Sequence, residues 1–422
     1  VKKPFIFPDS FLLGTATASL QIEGGDKNSN WYRWSEAGKI KDGSHSLNAC
    51  DHWNRVDEDL ELHKEIHAQT YRMGLEWSRI EPTRGSFSKD ALEHYRNEIQ
   101  GLLANGIRPL VTLYHFSHPL WFEDSGGWTQ PDAPQIFLHY VAEVVKALGD
   151  LVQDWVTINE PNIYLTLAYV RGEWPPGKTD AVEEMLVAGR LMVKAHCEAY
   201  KVIHAAYDTS RKVSVGVAHH LRVFQPAGGP ISWISSYLHT RIFQAMFLEA
   251  MTTGKWMAPL GKGYPSGKGP FSDFIGINYY TRDMVKGDLR AKPLMGVLGK
   301  QKNASYNDLG WEIYPKGLGI LIRRVWKKYR LPIWITENGI CDADDDQRPQ
   351  FLRDHLEEVG LCIQEGIPVE RYYHWTLLDN FEWIEGESAP FGLFHTDFNT
   401  QKRTLRESGK FFSKIIKTRS LD

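Results

Sequence analysis

Eight short apolar runs, separated by longer stretches of helical periodicity, narrow the folds open to this 422-residue chain more than any other feature. The runs cover residues 11–17, 70–77, 107–114, 155–159, 212–218, 273–279, 332–336 and 371–376. Between them, residues 56–67, 90–104, 134–148, 182–204 and 347–364 read as amphipathic helices. Eight strands alternating with helices is the count a closed β/α barrel requires. The expected fold is therefore α/β, a single (β/α)8 TIM barrel over residues 1–422. No low-complexity tract, short repeat or Gly/Pro/Ser-rich linker divides the chain.

The polar residues fall where such a barrel would use them. Gln21, His115, Asn159, Glu160, Asn278, Tyr280, Glu337 and Trp375 stand at or just past the ends of the apolar runs. Parallel strands end on one face, and in these barrels that C-terminal face carries the chemistry, so residues distant in sequence converge on one cavity. The Gly/Pro-rich stretches 171–177 and 261–270, and the polar stretch 299–310, are expected as loops over it. Two of the convergent residues are glutamates in short polar signatures, Thr157-Ile158-Asn159-Glu160-Pro161 and Ile335-Thr336-Glu337-Asn338-Gly339. Paired carboxylates can divide the work at a glycosidic bond, one protonating the leaving oxygen while the other attacks the anomeric carbon or activates water.

Composition excludes several other classes. A formal net charge of −3 offers no basic surface for nucleic acid or for an anionic membrane. Small neutral molecules remain as partners. The four cysteines, Cys50, Cys197, Cys341 and Cys362, are widely spaced without a CxxC, which suggests neither a disulfide framework nor a zinc ribbon. Lys2 and Lys3 precede no apolar run of signal-peptide length, and no run reaches transmembrane length, so a cytoplasmic setting is expected.

Several motifs, in order, resemble the family 1 glycoside hydrolases, the β-glucosidase and β-galactosidase family. They are the 11–24 segment ending in Gln21-Ile22-Glu23-Gly24, then Tyr71-Arg72, Glu76-Trp77-Ser78-Arg79-Ile80, Tyr114-His115-Phe116 and Gly276-Ile277-Asn278-Tyr279-Tyr280. The C-terminal motif runs from His374-Trp375-Thr376 through Asp379-Asn380-Phe381-Glu382-Trp383. The resemblance implies a retaining β-glycosidase without metal or cofactor, with Glu160 as acid/base and Glu337 as nucleophile, their carboxyls about 5–5.5 Å apart. Arg72 and Tyr280 would support Glu337. Gln21, His115, Asn159, Asn278, Glu382 and Trp383 would meet sugar hydroxyls, with Trp375 under the ring and Trp311 on the aglycone side. Of the 15 tryptophans only Trp311, Trp375 and Trp383 carry motif support.

Two positions depart from the family pattern. Phe116 stands in the glycone pocket where most members have Trp, which removes an indole N–H and predicts broad epimer acceptance. Glu76 replaces a small residue. A 6-phospho-β-glycosidase would carry serine at position 382, where this chain has Glu382, whose carboxylate repels a phosphate. A thioglucosidase would lack Glu160. A catalytically dead sugar-binding barrel is the reading from another class, and the intact glutamate pair argues against it.

The remaining motifs read as structural. His63 and His67 lie four apart on an expected helix without the Glu of H-E-x-x-H, so they read as a solvated face. His219-His220 ends a strand, so one ring is expected in the barrel mouth and the other outside. Asn303-Ala304-Ser305 matches a glycosylation sequon by pattern, and 342–346 reads as a solvated acidic loop near the cleft rim.

Overall fold

The computed structural model describes residues 5–208 and 210–421. Its eight central strands are β1 (Leu12–Ala16), β2 (Thr70–Gly74), β3 (Arg108–Thr112), β4 (Asp154–Asn159), β5 (Ser214–His220), β6 (Ile275–Tyr279), β7 (Ile333–Asn338) and β8 (Val369–Trp375). All pair in parallel and close on themselves, β8 against β1, which is the TIM barrel expected from the sequence. Each expected run is found, with ends shifted by a few residues. β5 starts late and runs on through both histidines.

The helices form where apolar spacing and caps agree. Ser88 Oγ accepts the Ala91 N–H at 3.1 Å and so starts the helix Lys89–Ala104. Pro134 opens the helix Ala133–Leu148, whose Phe137, Tyr140, Val141, Val144 and Leu148 are buried against the barrel and the long helix Val182–Ala206. The strands come close enough to need glycine in places. A Cβ on Gly14 would lie 1.7 Å from the Thr70 carbonyl oxygen, and one on Gly339 would lie 1.8 Å from that of Trp375.

Three expectations are corrected. The 261–270 stretch precedes β6, so it lies at the barrel's opposite end, where Gly269 and Phe271 bond back to Thr253 and Thr252. The acidic run 342–346 is no free loop. Buried Asp342 accepts the Gln347 and Arg348 N–H groups at 2.9 and 2.8 Å, and Asp345 pairs with buried Arg348. His63 is buried against the Tyr71 ring rather than solvated, and burial pushes it down to about 3.

The barrel's lower end is tied by charge. Asp154, fully buried at the start of β4, meets Arg108 Nε at 2.5 Å and Arg371 Nη1 of β8 at 2.9 Å. Arg371 also lies over the Trp334 ring, 3.6 Å from its centroid. Removing one partner strands a buried charge, which costs about 3–5 kcal/mol. Asp154→Ala should therefore lower the unfolding free energy by that amount, which moves the urea midpoint down by that energy divided by an unchanged slope. A midpoint within error of wild type would show that the cluster contributes nothing.

Candidate active site

At the other end of the barrel, both glutamate-bearing strands break register just before their glutamates. β4 slips against β5 between Val156 and Asn159, and β7 slips against β6 between Ile335 and Glu337. Such irregularities re-aim a side chain that strict alternation would point elsewhere. Glu160 itself has φ 40° and ψ 58°, a left-handed conformation that costs a non-glycine residue about 1–3 kcal/mol. Phe116 and Trp383 share it, with φ 67° and 49°. All three line the same cleft.

Arg72 holds the floor together. Wholly buried on β2, it donates to Glu337 Oε1 at 2.5 Å, to the Thr336 carbonyl at 3.2 Å, to Asn159 Oδ1 at 2.6 Å and to Thr112 Oγ1 at 3.1 Å. Four strands thereby meet on one guanidinium. Tyr280 donates its hydroxyl to the other Glu337 oxygen at 2.6 Å. Asn278 reaches the second glutamate, with Nδ2 at 2.8 Å from Glu160 Oε1 and 3.0 Å from Asn159 Oδ1. Because Asn159 Oδ1 accepts from Arg72, its Nδ2 faces His115 Nε2 at 2.8 Å as a donor. Burial and the Arg72 charge keep His115 neutral, so its proton is on Nδ1.

The cleft above this floor has a volume of about 840 Å³. Trp375 and Trp383 are nearly buried in its wall, whereas Trp311 is 36 % exposed at the rim, its ring edge-on to Tyr280. Glu382 accepts from Gln21 Nε2 at 3.0 Å and from the Trp375 indole. Phe116 packs against Trp174 and Trp383, with ring centroids 4.7 and 5.1 Å away. Behind it, Glu76 is not a stray charge, because Ser19, Ser78 and Ser117 hydroxyls all donate to it.

Electrostatics separates the carboxylates. Burial pushes Glu337 up to about 7 against the opposing pull of Arg72, and the charge of nearby Glu160 adds to the rise. Glu382 is pushed up to about 8 by burial, with the Trp375 and Gln21 donors opposing and the two glutamates adding. Three carboxylates crowd one cavity with a single buried guanidinium on the floor.

The sequence pattern of glycosyl hydrolase family 1 matches residues 3–265 and 268–421. The chain belongs to glycosyl hydrolase family 1. Among family members, a 1,4-beta-D-glucan glucohydrolase of Thermotoga neapolitana is 33% identical, the alignment covering 98% of this chain and 99% of that protein. Beta-glucosidase A of Thermotoga maritima is 32% identical over 99% of each. The solved beta-glucosidase from Thermotoga maritima in complex with deoxynojirimycin superposes with TM-score 0.92 at 31% identity, covering 99% of this chain and 100% of that one. A beta-glycosidase from Pyrococcus horikoshii gives TM-score 0.92 at 32% identity, with 99% and 96% coverage.

Against the family expectation, the cleft is lined by His115, Phe116, Asn159, Glu160, Tyr280, Trp311, Glu337, Trp375, Glu382 and Trp383 together. Gln21, Arg72 and Asn278 have no exposed surface and hold side chains of that wall, Gln21 bonding Glu382, Arg72 bonding Asn159 and Glu337, and Asn278 bonding Glu160, while Gln21 Oε1 has no hydrogen-bond partner among the described residues. Trp174 and Arg222 line the cleft without having been singled out for it, and of the His219-His220 pair His220 supplies the ring expected in the mouth. The 171–177 and 299–310 stretches do overhang it, and the first of them delivers Trp174. A Trp in a Pro-rich loop was the available signal.

A carboxylate attacks only when ionised, and the raised pKa of Glu337 means its ionisation completes only as pH rises through about 7, which sets the acidic limb expected of a nucleophile at this position. Hydrolysis by this glycosidase should therefore fall away below that window. Tyr280→Phe removes a donor that favours the anion, worth about 1.5–3 kcal/mol, and should move the acidic limb of kcat/KM upward by about one to two pH units. An unmoved limb in a folded variant would show that Tyr280 does not tune this group.

Proposed function

We propose that this chain is a retaining β-glycosidase, acting on glucosides together with galactosides or fucosides, with Glu337 as nucleophile and Glu160 as acid/base. The observation that carries the reading is the unequal setting of the two glutamates. Glu337 is held by a permanent cation and a phenol, a setting for an ionised attacking oxygen, while Glu160 has only neutral donors. In the first step a Glu337 oxygen bonds to the anomeric carbon, the bond to the leaving oxygen breaks, and that oxygen takes the proton of Glu160. Next, Glu160 takes a proton from water, the water oxygen bonds to the anomeric carbon, and the bond to Glu337 breaks. Two displacements return the original configuration.

The substrate would be a small-molecule β-glycoside or oligosaccharide, with His115, Asn159, Glu382 and Trp383 meeting hydroxyls and Trp375 beneath the ring. Gln21 and Asn278 would meet hydroxyls as well while holding Glu382 and Glu160, and Trp311 at the rim faces the aglycone. The whole chain works as one domain on this reading. Supporting that, Phe412 and Ile415 of the last helix share an apolar cluster with Leu13 of β1. Cys50, Cys197, Cys341 and Cys362 are buried and unpaired, which suits a reducing cytoplasm. No helix among the described residues is long and apolar enough to cross a membrane.

Glu337→Ala should lose nearly all turnover while still binding glycoside, and azide or formate should restore cleavage with inverted product configuration. Near-normal activity without added nucleophile would sink the assignment. Glu160→Ala should damage glycosides with poor leaving groups far more than activated aryl glycosides, since good leaving groups need little protonation. Equal losses across the series would remove its role. For Phe116→Trp, the kcat/KM ratios among epimeric glycosides should shift by about 0.5–1.5 kcal/mol, the worth of one hydrogen bond. Unchanged ratios in a folded variant would detach specificity from this position.

A further inference from the structure

His219-His220 is the sequence pair that the mechanism above leaves unused, and β5 splits it. His219 turns away from the cleft and is held near 3 by burial and the neighbouring His196, whereas the His220 ring lines the cleft. His220 Nδ1 lies 3.1 Å from Glu160 Oε1. On its other side Arg222 approaches Nε2 twice, with Nε at 3.1 Å and Nη2 at 2.8 Å, and Arg222 Nη1 is anchored on Asp283 at 2.8 Å.

Donor inventory fixes the tautomer. A guanidinium has only N–H donors, so His220 Nε2 must present its lone pair. Burial and the Arg222 charge keep the ring neutral, so its one proton is on Nδ1, aimed at Glu160 Oε1. Asn278 Nδ2 donates to the same oxygen at 2.8 Å, and that amide cannot turn over because Asn159 Oδ1, fixed as an oxygen by the Arg72 donor, takes the same Nδ2 at 3.0 Å. Two donors occupy the two lone pairs of Oε1.

We propose that the Asp283–Arg222–His220 chain is a positioning device for the acid, reserving Glu160 Oε1 as an acceptor so that the transferable proton rides on Oε2. The inference rests on Glu160 being the proton donor. When Oε2 gives its proton to the leaving oxygen, the new negative charge spreads to Oε1, where two N–H groups already point. When water attacks, its proton returns to Oε2. Glu160 also faces the charges of Glu337 and Glu382 and the phenol of Tyr280, and touches Arg72 only through Asn159. His220 itself faces Arg222, Asp283 and Glu160. The neutral donors thus oppose carboxylate repulsion without placing a second full charge on the acid.

Losing a donor to the anion raises the acid's pKa, so the basic limb of kcat/KM moves up. His220→Phe should move it by about half to one pH unit, the equivalent of one neutral hydrogen bond. It should also cost about tenfold more on poor leaving groups than on activated aryl glycosides. His220→Asn, which can place an amide N–H near the Nδ1 position, should restore both the limb and the leaving-group profile. Arg222→Met, which frees the ring to change tautomer, should reproduce the leaving-group defect of His220→Phe and serves if the latter fails to fold. The proposal is overturned if Phe and Asn at 220 behave alike, or if losses are uniform across leaving groups. Glu160→Ala is measured alongside. If it shows no leaving-group dependence, the acid assignment itself has failed; if it does while His220→Phe leaves both readouts unmoved, only the positioning role has.

Discussion

A full positive charge with no exposed surface sits at the centre of the barrel mouth, and the need to satisfy Arg72 organises what surrounds it. Its four hydrogen bonds reach groups on β3, β4 and β7, so the guanidinium works as a cross-brace between strands far apart in sequence. A buried cation of this kind is strongly destabilising when unpaired. Its partner carboxylate, Glu337, therefore has a structural reason to be where the proposed chemistry needs it. The same brace orients Asn159, and through it His115, before any sugar arrives.

That arrangement is bought with local strain. Glu160, Phe116 and Trp383 adopt left-handed backbone, and both glutamate strands slip register beside them. Strain concentrated at one cleft persists because the surrounding packing over-determines it, with the rings of Tyr164, Trp174 and Trp383 closing on Phe116. Rigidity there suits a reaction whose barrier is lowered by groups already in place, aimed at charge that develops only in the transition state.

Much of this was legible in the sequence. The apolar runs marked all eight strands, because a strand buried in a closed barrel has to be apolar along its length, and polar residues at the run ends marked the mouth. What stayed hidden depends on direction and depth rather than on residue type. Gln21 and Asn278 look like sugar contacts by chemistry, but that each also holds a carboxylate, Glu382 and Glu160, is a duty that no spacing reveals. Trp174 joins the wall because the 171–177 loop folds inward over Phe116. The acidic run 342–346 looks solvated until Arg348, six residues from Asp342, turns inward to meet it. His220 could be placed in the mouth by strand parity, but its role waits on Arg222, whose approach sets the tautomer.

On the proposed mechanism, Glu337 becomes covalently bonded to the sugar. A 2-deoxy-2-fluoro-β-glycoside bearing a good leaving group tests it directly, because fluorine at C2 slows both displacements while the leaving group lets the first outrun the second. Incubation followed by proteolysis and mass spectrometry should find one fluoroglycosyl unit per chain, on the peptide carrying Glu337. An adduct on any other residue, or hydrolysis of ordinary glycosides with inverted configuration and no adduct, would rule out Glu337 as the nucleophile.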